Sequence, residues 1–543
     1  CNSAVYARRA VIGAPLAGSM LPLLTLSLGY SADRVIIISR HGVRRQFPSA
    51  AFNFSLYAPG KDFDTSDESW GAAGGEHGSK AEMGVLTQHG YAAVERMGAY
   101  QSQRYKSLVP GCRGAYVYCE EKMPRDAKTA EAFFKGMGCE TTPALHSEGA
   151  EYLIDQGSTP RGDQGECALG TQAQVEGRVG GSVDEYLRLY MPRIRKLSEL
   201  LGCCDASLCG KPAGSSCSLE DLPSAFDQKH WYTTFSGPMY AGKYFAEWIE
   251  LTMLNGMDFA WGKLTVEEVM ELSAFVTQYR AFEFDMLAAR PFGSALLAHV
   301  GATLQQWAGG AAQPAVTHAA SERLVYYAAH DTNLLYLAEL LELKWLAKGW
   351  QPNHTPPGGM LVVEALAPTN DANPTGEWQL AVFFDVQTPQ QVRDLTDLSD
   401  DDEATKPSRV PVAVPGCSVQ LREGGPLLCP LPTFLQLVGR TVRAECIGDQ
   451  AAPASVTNLR AFAEGLAGGG GAAAAGGVSL SHAAMAVCSI ATMTLCLGLV
   501  LGRIVQRRLH TREQRLIPSR EAASGWNSDS DCNVPPLRTA EPL

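Results

Sequence analysis

Arg40-His41-Gly42-Val43-Arg44 sets one imidazole between two guanidiniums. Arginine keeps its charge at any physiological pH, and a nearby positive charge disfavours protonation of histidine. His41 is therefore expected to stay neutral across about pH 5–7. A neutral imidazole is a nucleophile, and paired guanidinium forks match the oxygens of a phosphoryl group. The chemistry on offer is phosphoryl transfer to nitrogen. The same five residues also suit a strand that ends in a basic, solvated turn. A second titratable pair, His330-Asp331, offers a phosphate ligand and a proton donor. Asp331 equally suits an Asx-type cap on the helix that begins there. The two roles are compatible, because a helix N-terminus also faces anions. Arg125 would supply a third cation, although a lone Arg is mostly a surface residue.

The elements that must position these residues are legible around them. Val35-Ile36-Ile37-Ile38 is a short, bounded, β-branched run, the pattern of a buried central strand. The Arg-His-Gly motif stands at its C-terminal end, where open α/β sheets place ligand sites. Residues 116–118 and 324–329 read as two more strands. Each runs through a polar turn into a helix, the first turn carrying Arg125 and the second His330 and Asp331. A helix is predicted from Thr87, a plausible cap, to Tyr105, with Val94 and Met97 on one face. Residues 152–287 change character, with helical patterns over 183–201, 239–254 and 265–287. They are expected to form a helical domain inserted into an α/β domain built from 33–151 and 288–446. Glu247 lies in this helical stretch and reads as a solvated helix residue. Strands are predicted at 360–366 and 378–384, after the turn Pro356-Pro357-Gly358-Gly359. The Gly-rich segment 49–80 reads as surface, or as a flap beside the site.

The chain has 543 residues, enough for roughly three domains. Hydrophobic residues make up 45% and charged residues 19%, which places it among globular proteins. The net charge of −12, with no long basic run, argues against a nucleic-acid partner. An acidic chain acting on an anion must gather its positive charge locally. Residues 1–32 read as a secretory signal: Arg8 and Arg9 precede an apolar stretch, and Gly29, Ser31 and Ala32 suit cleavage. A signal anchor is the alternative, weakened by Gly13, Pro15, Gly18 and Pro22. Residues 447–482, largely Gly and Ala towards their end, read as a flexible linker. Residues 483–505 are apolar and long enough for a bilayer core of about 30 Å. Arg503, Arg507, Arg508 and Arg512 follow, so 506–543 is expected to be a cytoplasmic tail. The expectation is a single-pass type I membrane protein, its catalytic part extracellular or lumenal. The 15 cysteines then fall largely in an oxidising compartment, where disulfides are the default. No Cys or His spacing suits zinc. Asn53-Phe54-Ser55 and Asn353-His354-Thr355 are glycosylation sequons.

Together, Arg40-His41-Gly42-Val43-Arg44 and His330-Asp331 resemble the histidine acid phosphatases. Ala329-His330-Asp331-Thr332-Asn333, Leu341-Glu342-Leu343-Lys344-Trp345 and Thr355-Pro356-Pro357-Gly358-Gly359 are similar to the periplasmic phytases and glucose-1-phosphatases of enteric bacteria. So are Lys128-Thr129-Ala130-Glu131-Ala132-Phe133 and Gln387-Thr388-Pro389-Gln390-Gln391-Val392-Arg393-Asp394. The resemblance implies a phosphoglycerate-mutase-like three-layer α/β core with an inserted helical domain. It implies that His41 attacks the phosphorus of a monoester, that Arg40, Arg44, Arg125 and His330 hold the phosphoryl oxygens, and that Asp331 protonates the leaving oxygen. It implies an acidic optimum, with protonated Asp331 beside neutral His41, and no metal or other cofactor. By resemblance Glu247 faces substrate, and Cys112 pairs with Cys139, Cys167 with Cys446, Cys209 with Cys217 and Cys417 with Cys429. Cys119, Cys203 and Cys204 are left over, to pair with one another or between chains. The chain departs from the pattern after Arg44. Arg45-Gln46-Phe47-Pro48-Ser49 is not followed by the Lys that contacts polyphosphate in the phytases, and Arg45 is a candidate substitute. The expectation is a broad acid phosphatase, with a dedicated phytase or inositol-polyphosphate phosphatase as the alternative. A receptor that kept the fold and lost catalysis would have no need of Asp331.

Overall fold

The four residues Val35, Ile36, Ile37 and Ile38 are fully buried, because the strand they form runs through the middle of a sheet. A computed structural model describes residues 32–46, 52–71, 84–120, 123–154, 167–226, 235–286, 288–370, 373, 375–421, 423 and 425–468. The strands are β1 (Arg34–Arg40), β2 (Ala115–Cys119), β3 (Leu145–His146), β4 (Leu324–Ala329), β5 (Met360–Leu366), β6 (Gln379–Val386), β7 (Ser408–Val412), β8 (Val419–Gln420) and β9 (Leu427–Pro430). They form a mixed sheet in the order β3-β2-β4-β1-β5-β6-β9-β8, with β7 also on β6. β3, β2, β4 and β1 are parallel, and the pairings from β5 outward are antiparallel. The register pairs Arg40 with Ala329 and Cys119 with Ala328. The C-terminal ends of β1, β4 and β2 therefore stand level, and the three polar turns read from the sequence meet at one edge.

Alternation along β1 divides the core. Ile36 and Ile38 join the cluster built with the Ala289–Gly309 helix, whereas Val35 and Ile37 pack with Met97, Phe133 and Tyr326. On that second face the Gln88–Tyr105 and Pro124–Gly136 helices approach closely. A Cβ on Gly98 would collide with the Phe133 carbonyl, and one on Gly136 with that of Glu95. Thr87 caps its helix by accepting from the Gly90 N–H.

The helical patterns are realised with breaks. The 183–201 pattern is two helices, Val183–Arg188 and Met191–Leu201, the second begun by Pro192. The 265–287 pattern is Val266–Leu272 and Ala274–Arg280, followed by a π-helical turn over Ala281–Met286. These helices share one continuous apolar cluster with the sheet. The reading of 447–482 as linker is corrected for its first part. Ala454–Ala467 is a helix whose Val456, Leu459 and Ala463 are buried against the core, an apolar stripe at helical spacing.

Among the described residues the disulfides are Cys112–Cys139, Cys167–Cys446, Cys209–Cys217 and Cys417–Cys429, the pairs implied above, and Cys203–Cys204. Cys119 is buried and carries no disulfide. Asn53 is exposed and starts a short helix, and the Asn353 Oδ1 accepts the Trp345 N–H at 3.1 Å. Of the expected signal over 1–32 only Ala32 is described, and the apolar segment 483–505 and the expected tail over 506–543 lie outside the described residues. Among the described residues no helix is long and apolar enough to cross a membrane.

Candidate active site

β1 delivers its motif into a braced turn. The His41 N–H donates to the Ala329 carbonyl at 3.0 Å, and the His41 carbonyl accepts from the Gly358 N–H at 3.0 Å. The Arg40 guanidinium donates through Nη1 to the Thr355 carbonyl at 2.6 Å. Gly42 is required by close approach, since a Cβ there would lie 2.9 Å from both the Gly90 carbonyl oxygen and Val94 Cγ2. Its N–H donates to Thr129 Oγ1 at 3.2 Å.

The imidazole of His41 is buried and oriented. Its Nδ1 lies 2.9 Å from the Gly42 carbonyl, which can only accept, so Nδ1 carries the proton and Nε2 the lone pair. Burial, then Arg125, Arg40, His330 and Arg44, hold its pKa well below the usual histidine value. The neutral imidazole expected from the sequence is therefore what the surroundings favour. Burial lowers the Arg44 guanidinium to about 10, still charged at any acidic pH.

Asp331 is the first residue of its helix, after the N-cap His330. Its Oδ1 accepts the Thr332 N–H at 3.0 Å. Its Oδ2 lies 3.3 Å from Arg40 Nη2 and pairs with Arg280 Nη1. Burial would raise this carboxyl, but Arg280, Arg40, Arg44 and His330 outweigh it and hold Asp331 ionised, far below the ordinary carboxylate range. The expected protonated Asp331 is thus corrected for this arrangement: two guanidiniums clamp the carboxylate.

Glu247 corrects the reading of a solvated helix residue. The Pro238–Leu254 helix is buried nearly all round, and Glu247 is only 3% exposed. Its Oε1 lies 2.7 Å from Arg280, 3.3 Å from Arg44 and 3.8 Å from Arg40, and its Oε2 lies 3.2 Å from Lys243. Burial would raise its pKa, but Lys243, Arg280, Arg44 and Arg40 hold it far below the usual range. A buried charge of either sign persists only in such company.

Arg125 is largely buried in its side chain, and its Nη2 lies 3.4 Å from His330 Nδ1. His330 faces His41 edge-on, with ring centroids 5.7 Å apart. Arg40, His41, Arg44, Arg125, His330, Asp331 and Glu247 are thus gathered in one place. Arg45 is directed elsewhere, donating to the Thr65 carbonyl at 2.7 Å. Sequence reasoning missed Arg280, Lys243 and Gln46, the last donating to Glu247 and accepting from Arg44. Arg280 had a signal: it shares the buried face of its helix with Phe275, Val276 and Tyr279.

Residues 33–375 match the histidine phosphatase superfamily (branch 2). The chain is 28% identical over 435 residues to Phytase AppA of Escherichia coli (strain K12), covering 76% of this chain and 93% of that protein. The solved phytase of Citrobacter braakii superposes with a TM-score of 0.57 at 25% identity, over 77% of this chain and 99% of the other. The apo form of Hafnia alvei phytase gives 0.57 at 21% identity, over 77% and 98%.

Proposed function

The chain belongs to the histidine phosphatase superfamily, branch 2, and is a histidine acid phosphatase, a phosphomonoesterase; we propose that its turnover passes through a phosphohistidine on His41. The observation that carries this reading is the tautomer of His41. With Nδ1–H held by the Gly42 carbonyl, the Nε2 lone pair is the nucleophile, and Arg40, Arg44 and Arg125 surround it.

Nε2 attacks phosphorus, the ester P–O bond breaks, and the leaving oxygen takes a proton from Asp331. Arg40, Arg44, Arg125 and Arg280 are the cations for the phosphoryl oxygens, and charge stabilisation of this kind does most of the work in phosphoryl transfer. Water then attacks the phosphohistidine, ionised Asp331 takes its proton, and the N–P bond breaks to release orthophosphate. The clamp on Asp331 fits this cycle. A phosphoryl group competes for Arg40 and Arg280, and as their hold on Asp331 weakens the carboxyl takes up the proton it must deliver. An acidic optimum follows.

The substrate reading is a broad range of phosphate monoesters. A substrate bearing further phosphates, such as the phytate of the named relatives, is favoured by Lys243. It adds a cation one helical turn from Glu247, in a chain that lacks the Lys expected after Pro48. We further infer from residues 483–512 that the enzyme is a type I membrane protein whose site faces away from the cytoplasm.

The test is hydrolysis of p-nitrophenyl phosphate by the full chain as a function of pH. Activity should peak at about pH 5, vanish in His41→Ala and fall about 10²–10⁴-fold in Asp331→Ala. A folded chain that is inactive across about pH 4–7 would remove the mechanism.

A further inference from the structure

Asp126 is completely buried, yet neither of its carboxylate oxygens has a partner in hydrogen-bonding geometry. Its charge is opposed by two groups. Oδ2 lies 3.1 Å from Nε2 of His330, itself 0% exposed, and Oδ1 lies 3.7 Å from Nε of Arg125. The remaining His330 nitrogen, Nδ1, is 3.4 Å from Nη2 of that same Arg125. A helix residue, a strand-end histidine and an arginine therefore form one closed set beneath the phosphoryl site. Buried carboxylates are costly unless cations stand against them, and removing one partner of such a pair leaves the other uncompensated.

We propose that Asp126 is a positioning residue: it stands against the Nε2–H of His330, so that Nδ1 keeps the lone pair that receives Arg125 Nη2, and it thereby keeps Arg125 aimed at a bound phosphoryl group. The inference rests on the reading of the site given above. The surroundings of His330 explain the need. His41, Arg40 and Arg44 stand at the end of β1, Arg125 on the Pro124–Gly136 helix, and Asp331 follows His330 in the chain. Cys119, at the end of β2, faces Asp126. Arg280 and Arg40 already engage Asp331, and Glu247 is surrounded by Lys243, Arg280, Arg44 and Arg40. Asp126 is the carboxylate in direct contact with His330 on the Arg125 side. Because a guanidinium can only donate, His330 Nδ1 accepts from Arg125, and the proton on Nε2 faces the Asp126 carboxylate.

The test is orthophosphate binding to the full chain, by calorimetry from about pH 5 to 8, for wild type, Asp126→Asn, His330→Gln and the double variant. Asp126→Asn should weaken orthophosphate binding roughly tenfold across this range, because Arg125 loses its orientation. The double variant should bind no worse than His330→Gln, because Asp126 acts through that ring. Asp126→Thr is the second uncharged variant should Asn fail to fold, with the same expectations. Binding unchanged at every pH, or losses that multiply in the double variant, would overturn the proposal while leaving the phosphohistidine reading intact. The calorimetry requires no turnover, so failure to find a phosphohistidine does not bear on it. A wild-type chain that binds no orthophosphate would remove both.

Discussion

Arg280 joins the two buried acids of the site, pairing with Asp331 and lying 2.7 Å from Glu247. Among the cations around Asp331 it does most to hold the carboxylate ionised against burial, which alone would raise that carboxyl. Arg280→Met should therefore let Asp331 keep its proton to higher pH. The alkaline limb of kcat/KM should move upward by about one unit, while its maximum falls through lost phosphoryl contacts. A pH–rate profile checks this, and a limb that stays put contradicts it. The same residue marks where sequence stops being informative. Arg40, His41, Arg44, His330 and Asp331 were legible because each cluster is contiguous and ends an apolar run. Arg280 and Lys243 come from helices whose direction in space is set by long-range packing. Glu247 looked solvated for the same reason, since helical spacing does not say that every side of a helix is covered.

The helices hold the motif at the scale of single atoms. Gly90 begins the Gln88–Tyr105 helix against the motif turn, where a Cβ would collide with the Val43 carbonyl. Gly90→Ala should cost about 1–3 kcal/mol through overpacking. Because the displaced backbone lies between His41 and Arg44, kcat should fall more than the melting temperature does. Thermal unfolding beside steady-state kinetics would show it. Cys167–Cys446 spans 279 residues of sequence and ties the segment before the Gln172–Val179 helix to the turn before Ala454–Ala467. A Cys446→Ser variant should lose about 2–5 kcal/mol, read by denaturant unfolding. The strand–turn–helix junctions were legible from periodicity and turn residues. The Ala454–Ala467 helix was not, because its many alanines run into the Gly- and Ala-rich residues that follow it in the sequence.

Over the whole molecule, the fold places neutral histidines where water does not reach. His299 and His318 lie in the core, and burial alone lowers His318 to about 4. An unfolded imidazole titrates at about 6.5, so below that pH the unfolded chain binds protons that the folded one refuses. Stability contributed by these groups is complete above about 6.5 and is lost as the pH falls towards 4, on the order of 3 kcal/mol for His318. The melting temperature should fall over that window, and His318→Gln should flatten the fall. The enzyme would then work best where its fold is not most stable. An acidic chain of net charge −12 also gathers Arg40, Arg44 and Arg280 around Glu247, which suits an anionic substrate beside them.

A covalent bond between phosphorus and His41 lies at the heart of the proposed turnover. It is tested most directly by mixing the full chain with ³²P-labelled phosphomonoester, quenching in alkali, where phosphohistidine survives, and mapping the label. Label is expected on the peptide containing His41 and absent from His41→Ala, and it should leave as orthophosphate when unlabelled substrate is added. A wild-type chain that turns over while carrying its label elsewhere, or a His41→Ala chain that still turns over, would contradict this bond.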